Sequence, residues 1–291
     1  MARDEERPMK NGVLLAIFSS LVFSVMNALV KAASVSIPSA EVAFFRSIIG
    51  TAIIYGMMRH SKVPFSREGI PLLVTRGVLG ALYLLAYFYT ISKIPLTDAS
   101  ILAHLSPFFV MALAVLVLKE KLSRRALTVL PVAILGAMLL IKPFQFSSYS
   151  ADALIGLLSA FFAAGAAVSI RMLSQKHHTY EIVFYFLATA TLVSMPLMWN
   201  DFVVPSTLDW LYLISIGVVS LLGQLFLTKA FTHENAAVVE VTRYIGIVFN
   251  AMWGFLFWME VPDLLTAAGG VLIVTACIAL SRQKRPQSKA Y

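Results

Sequence analysis

The sequence predicts an all-α integral membrane protein: ten transmembrane helices arranged as two five-helix repeats of opposite orientation. Three observations carry that expectation. First, 59% of the residues are hydrophobic and 13% charged, with a mean hydropathy of +0.83, where a soluble domain carries about a quarter charged residues. Second, apolar runs of about 20 residues, the length of a helix that crosses a hydrocarbon core, recur from Gly12 almost to Arg282. Third, the chain resembles itself at a shift of 140 positions, while the charge of corresponding turns reverses.

The runs place helices near 12–33, 40–59, 69–91, 97–118, 125–142, 152–172, 180–199, 208–230, 236–258 and 263–281. Between them lie short connections marked by Pro38, Pro64 with Gly69 and Pro71, Pro95, Pro143, Pro205 and Pro262, residues that interrupt helices. The opening stretch MARDEERPMKNG is mixed in charge, and the following run outlasts a signal peptide's apolar core without a small-residue cleavage site. It is expected to persist as the first helix. The expected organisation is a cytoplasmic N-terminus (1–11), a first repeat (12–142), a second, inverted repeat (152–281) and a basic cytoplasmic tail (282–291).

Seventeen of the 23 Lys and Arg fall near ends that are cytoplasmic if the N-terminus is inside; Lys31, Lys93 and Lys142 face the other side, and Arg46, Arg76 and Arg243 lie within spans. That bias puts both termini in the cytoplasm and requires an even number of spans. It also explains the formal net charge of +8 without a nucleic-acid partner. A single cysteine, Cys277, excludes a disulfide framework or a cysteine-based metal site. No metal or cofactor is expected.

The 140-residue shift brings Ser19 onto Ser159, Glu41 onto Glu181, Phe44 onto Phe184, Gly77 onto Gly217 and Glu120 onto Glu260. Five spans per copy is an odd number, so the second copy enters from the opposite side. The turn KEKLSRR after the fourth span is strongly basic, and its counterpart MEVPD after the ninth has no Lys or Arg. Inverted repeats meeting at a midplane site are the recurring plan of secondary transporters.

EVAFFRS in the second span, RGVLGALYLLAYFYTISKIPLTDASILAHLSPFF across the third and fourth, the glutamates Glu120 and Glu260, and VTRYIG in the ninth together resemble the drug/metabolite transporter superfamily in its ten-helix EamA-type branch. The resemblance covers nearly the whole chain as two copies of one unit. The family's usual small residue before the closing glutamate is replaced here by Lys119 and Met259. The resemblance implies the drug/metabolite transporter fold and a transporter of small organic solutes in the inner membrane, often an exporter.

Arg46 lies about six residues, or roughly 9 Å, into its span. A charge at that depth is expected to face the protein interior or a wet cavity; pairing with Glu41 is awkward, since five residues separate them by about 140° around the helix. Arg243 lies at similar depth in the ninth span, with Glu240 three residues earlier as a local partner. The shift maps Tyr244 onto His104, so the two are expected to approach the centre from opposite halves. Pro107 removes the bond to the Ala103 carbonyl and is expected to kink the fourth span there. Tyr83 and Tyr87 share one face of the third span and read as cavity wall. Asn27 and Gln224 are lone amides that serve either as ligands or as interhelical ties. Trp253 is the one tryptophan deep enough to be wall. Glu41, Glu240, Pro107, Glu120 and Glu260 read as structural or gating residues. Ser159, Ala163 and Ala167 suit close helix packing, and His177 and His178 a solvated loop.

No Asp or Glu lies near the middle of a span, which disfavours a proton-for-cation antiporter. Arginines at depth point instead to an amino-acid-like, zwitterionic or anionic metabolite, moved by alternating access with export as the expected direction. Coupling is open between facilitated diffusion and proton linkage through His104. The alternatives are a lipid-carrier flippase or an importer of a cofactor-type metabolite. A membrane enzyme lacks a nucleophile–base pair or clustered metal ligands, and a channel lacks a continuous polar stripe. The expected partners are a small organic solute and the bilayer, with the chain a monomer or a homodimer.

Overall fold

The computed structural model describes residues 7–106, 108–110, 113, 128, 131–132, 134–136, 138–139, 148–174, 176–199, 201–233, 239 and 242–281. Among them are α1 (Arg7–Ala33), α2 (Ser39–His60), α3 (Ile70–Lys93), α4 (Leu96–Ala103), α5 (Ser148–Leu173), α6 (Thr179–Trp199), α7 (Thr207–His233), α8 (Ile245–Trp258) and α9 (Leu264–Ser281). The fifth expected span, 125–142, is described only in part and is helical where described. Pro107, Glu120 and Glu240 lie outside the described residues.

Six of these helices are long and apolar enough to cross a membrane. The surface agrees with that: Val248, Leu211 and Val271 are 64%, 62% and 61% exposed, a distribution that suits lipid and not water.

The packing follows the inverted duplication. α1 packs on α7 and α3 on α5, which are the same pair of positions with the two copies exchanged; α2 packs on α6, its own counterpart, and α4 on α8 likewise. Two glycines related by the shift allow the crossings. A Cβ on Gly77 of α3 meets Thr189 and comes within 2.9 Å of the Tyr185 carbonyl of α6, and one on Gly217 of α7 comes within 2.6 Å of Ile49 of α2. Backbones approach this closely only where no side chain intervenes.

A second exchanged pair ties loops across the repeats. Glu41, in the first turn of α2, accepts the Val203 N–H at 3.0 Å from the loop before α7. Its counterpart Glu181, in the first turn of α6, accepts the Ser66 N–H at 2.6 Å and hydroxyl at 2.8 Å from the loop before α3. Among the described residues neither glutamate meets an arginine, so Arg46 is not neutralised by Glu41. His177 also contacts Glu181, at 3.1 Å; it is buried (side chain 6% exposed) and not the solvated loop residue expected.

Candidate solute-binding site

Both copies interrupt a helix at the same place. α4 stops at Ala103, and the His104 N–H reaches the carbonyls of Ser100 and Ile101, both at 3.1 Å. In the second copy Arg243 and Tyr244 form a turn before α8, with the Gly246 N–H bonded at 2.9 Å to the Arg243 carbonyl. Broken helices near the middle of the bundle free backbone groups that must find partners within the protein or a cavity. The His104 imidazole takes up two of them. Its Nδ1 lies 2.7 Å from the Ser100 carbonyl and its Nε2 3.1 Å from that of Arg243. Either neutral tautomer donates to one of these and an imidazolium to both. The His104 and Tyr244 rings stand 5.4 Å apart, so the pair related by the shift does meet.

Beside this junction lies a cavity with about 1070 Å³ of empty space, mouth included. α1 contributes Asn27, α2 Arg46, α3 Arg76, Tyr83 and Tyr87, and the second copy Phe186, Gln224, Arg243 and Asn250. Tyr83 and Tyr87 stack at 5.6 Å. The deep wall is a chain of amides and hydroxyls: the Asn27 Nδ2 donates to the Tyr87 hydroxyl at 3.1 Å and to the Asn250 Oδ1 at 3.2 Å, and the Asn250 Nδ2 donates to the Ser100 hydroxyl at 2.9 Å.

Three arginines line this space, and among the described residues no Asp or Glu joins them. Arg46 and Arg76 are 2% and 4% exposed, and Nε and Nη1 of each have no hydrogen-bond partner. Both guanidiniums lie over the Phe186 ring, at 5.3 and 4.4 Å from its centroid.

The expected residues thus divide. His104, Tyr83, Tyr87, Gln224, Asn27, Arg46 and Arg243 line the cavity, and Tyr244 stands against His104. Trp253 is not on the lining; it stands behind it, stacked on Phe257 and donating to the Ser24 hydroxyl at 3.0 Å. Sequence reasoning missed Arg76, Asn250 and Phe186. Arg76 was visible as a charge inside a span, with Gly80 one turn later leaving room for its guanidinium. Asn250 and Phe186 gave no local signal, because their neighbours come from the other copy.

The two ends of the bundle differ. Where α1 finishes, Lys31 pairs with Glu260, Glu260 also accepts the Leu96 N–H at 2.9 Å, and Lys31 donates to the Ile94 carbonyl at 3.2 Å. There too Tyr149 donates to Asp98 and Tyr89 to Asp152 at 2.9 Å. All but the Lys31–Ile94 bond join the first copy to the second and close that end. The cavity extends the other way, to Ile170, Leu227 and Phe231 in the last turns of α5 and α7.

A model of the EamA-like transporter family matches residues 10–142 and again 151–282. The pseudopaline exporter CntI of Pseudomonas aeruginosa is 66% identical over 95% of this chain and 98% of its own. The S-adenosylmethionine uptake transporter of Rickettsia prowazekii is 24% identical over 96% of each chain, and human solute carrier family 35 member G1 is 28% identical over 95% of this chain and 80% of its own. A solved crystal structure at 18% identity superposes with a TM-score of 0.66 over 94% of this chain and 96% of that one, which bears on fold alone. The chain belongs to the EamA-like transporter family and is a multi-pass membrane transporter of small metabolites.

Proposed function

We propose that this transporter exports pseudopaline, or a metabolite close to it, across the inner membrane, with both termini in the cytoplasm. The observation that carries the reading is a cavity, open at one end, whose described lining holds three arginines and no carboxylate. A binding surface of that kind selects solutes bearing negative groups. The solute class is supported by 66% identity over nearly the full length of an exporter, against 24% for an uptake transporter.

With the N-terminus in the cytoplasm, the open end of the cavity faces the cytoplasm and the Lys31–Glu260 end faces outward. An exporter loads its cargo in that state. Rocking of the two copies about the His104–Tyr244 junction then exposes the cavity to the other side.

The test is direct. Purified protein is reconstituted into liposomes loaded with pseudopaline, and the released solute is measured by mass spectrometry. Release above protein-free liposomes, lost in Arg46→Leu, is the expected result. Release equal to that of empty liposomes overturns the assignment.

A further inference from the structure

We propose that the cavity recognises its solute at two poles: Arg46 and Arg76 together hold paired carboxylates, and Asn27 accepts an N–H from the same molecule. The inference rests on the reading of the cavity as the solute site, and it assigns the class of solute: an amino compound carrying at least two carboxylates.

The first pole follows from the arginines' surroundings. The two guanidiniums are near enough to repel each other, they share the Phe186 ring, and among the described residues no carboxylate reaches either of them. Buried charges are ordinarily paired, because water has been stripped from them. Here Nε and Nη1 of both side chains are buried without a partner, four of the eight such atoms found among the described residues. An aromatic face offsets part of this cost, but it accepts no hydrogen bond. Two unpaired forks side by side match two carboxylates, or one carboxylate held by both.

The second pole is an acceptor. The Asn27 Oδ1 is buried with no partner, while the amide nitrogen donates to the Tyr87 hydroxyl and to the Asn250 Oδ1. What this oxygen lacks is a donor, and an amine or ammonium N–H supplies one. The Tyr83–Tyr87 stack connects the poles: Tyr83 stands near both arginines, and Tyr87 is bonded to Asn27. One turn of α3, with ring centroids 5.6 Å apart, thus sets the spacing between carboxylate and amine.

The test uses the full chain in detergent free of anionic lipid, so that no headgroup supplies the charge, and follows thermal unfolding with three probes. Glutarate carries two carboxylates, glutaramide is its uncharged diamide, and L-glutamate adds an amine. The wild type is expected to melt higher with glutarate, higher still with L-glutamate, and unchanged with glutaramide. Arg46→Met and Arg76→Met are each expected to melt about 2–4 °C above the wild type without ligand, because an unpaired buried charge has been removed, and to lose the glutarate shift. Asn27→Leu is expected to keep the glutarate shift and lose the surplus given by L-glutamate.

Arginines that serve the fold give the opposite sign: the methionine variants then melt lower, and the proposal fails. It fails also if glutarate does not stabilise the wild type or glutaramide does so equally, comparisons that need no variant. A surplus for L-glutamate that survives Asn27→Leu removes the second pole. These shifts are independent of pseudopaline release, so failure of the exporter assignment and failure of the two-pole site are distinguishable.

Discussion

Replacing Glu260 by glutamine should loosen the closed end of the bundle while leaving the fold in place. The glutamine keeps an acceptor for the Leu96 N–H, bonded at 2.9 Å, and loses the charge that holds Lys31. The side chains of that pair are 14% and 16% exposed. An exposed ion pair contributes under about 1 kcal/mol, and breaking a fully buried one costs about 3–5 kcal/mol, so a largely buried pair stands near 2 kcal/mol. Lys31 keeps its bond to the Ile94 carbonyl and its place over the Trp258 ring, which limits the loss to that figure. About 2 kcal/mol corresponds to roughly a 30-fold change in the equilibrium between closed and open. The assay is the rate at which a membrane-impermeant maleimide labels Ile94→Cys in a Cys277→Ser background. Glu260→Gln should raise that rate roughly 10- to 30-fold, Lys31→Met should do the same, and the double variant should add little to either, as for two partners of one interaction. A folded Glu260→Gln protein that labels at the unaltered rate, or a double variant whose effects sum, refutes the gate.

Two further outcomes follow from packing and from the amide chain. Gly77→Val forces a side chain against Thr189 and the Tyr185 carbonyl, and Gly217→Val forces one against Ile49; overpacking of this kind costs about 1–3 kcal/mol, and each variant should show a lowered melting temperature in detergent, whereas Gly56→Ala, with nothing within 4 Å of the added carbon, should not. Asn250→Leu removes the link between Asn27 and Ser100 and leaves the Asn27 amide to turn, so at about 1–3 kcal/mol for the orphaned groups it should slow release from loaded liposomes by roughly 5- to 160-fold; release at the wild-type rate contradicts a role for the amide wall.

The fold was readable because lipid imposes a rule on length and charge that acts residue by residue. Helix ends such as Lys93, Trp199 and Ala33 fall within two residues of the runs that announce them. The break at His104 was readable for a local reason, a proline three residues on; the shift announced that Tyr244 meets His104 but not the turn at Tyr244, where no proline stands. A place on the cavity lining was readable where a residue conflicts with lipid by itself, as Arg46, Asn27 and Gln224 do, or where spacing put polar tips on one face, as for Tyr83 and Tyr87. Arg76 carries the same conflict but sits near the start of α3, where a snorkelling arginine reads as ordinary; only the tertiary structure turns it inward, onto Phe186. Trp253 failed in the other direction, since depth in a span does not say which way a side chain points, and α8 turns it toward Ser24.

The scaffold is symmetric and the site is not, and that contrast bears on mechanism. The shift of 140 pairs Arg46 with Phe186 and Asn27 with Ala167, and all four line the cavity. At each pair one copy supplies charge or an amide and the other a ring or a methyl group. The glycines and glutamates of the scaffold keep their character in both copies: Gly77 and Gly217 set equivalent crossings, and Glu41 and Glu181 tie equivalent loops. Equivalent crossings let the bundle adopt two states related by exchange of the copies, each opening to one side. A site built equally from both copies holds a solute in two opposed orientations; one with both unpaired arginines on the first copy's helices holds it in one. On the two-pole site proposed above, the solute's charged end stays on α2 and α3 through the cycle while the walls move around it. Exchanging the residues at the 46/186 pair, as Arg46→Phe with Phe186→Arg, should leave the protein folded and able to rock but with its anion pole split between α6 and α3. Retained affinity for dicarboxylates in that double variant contradicts an anion pole fixed to the first copy.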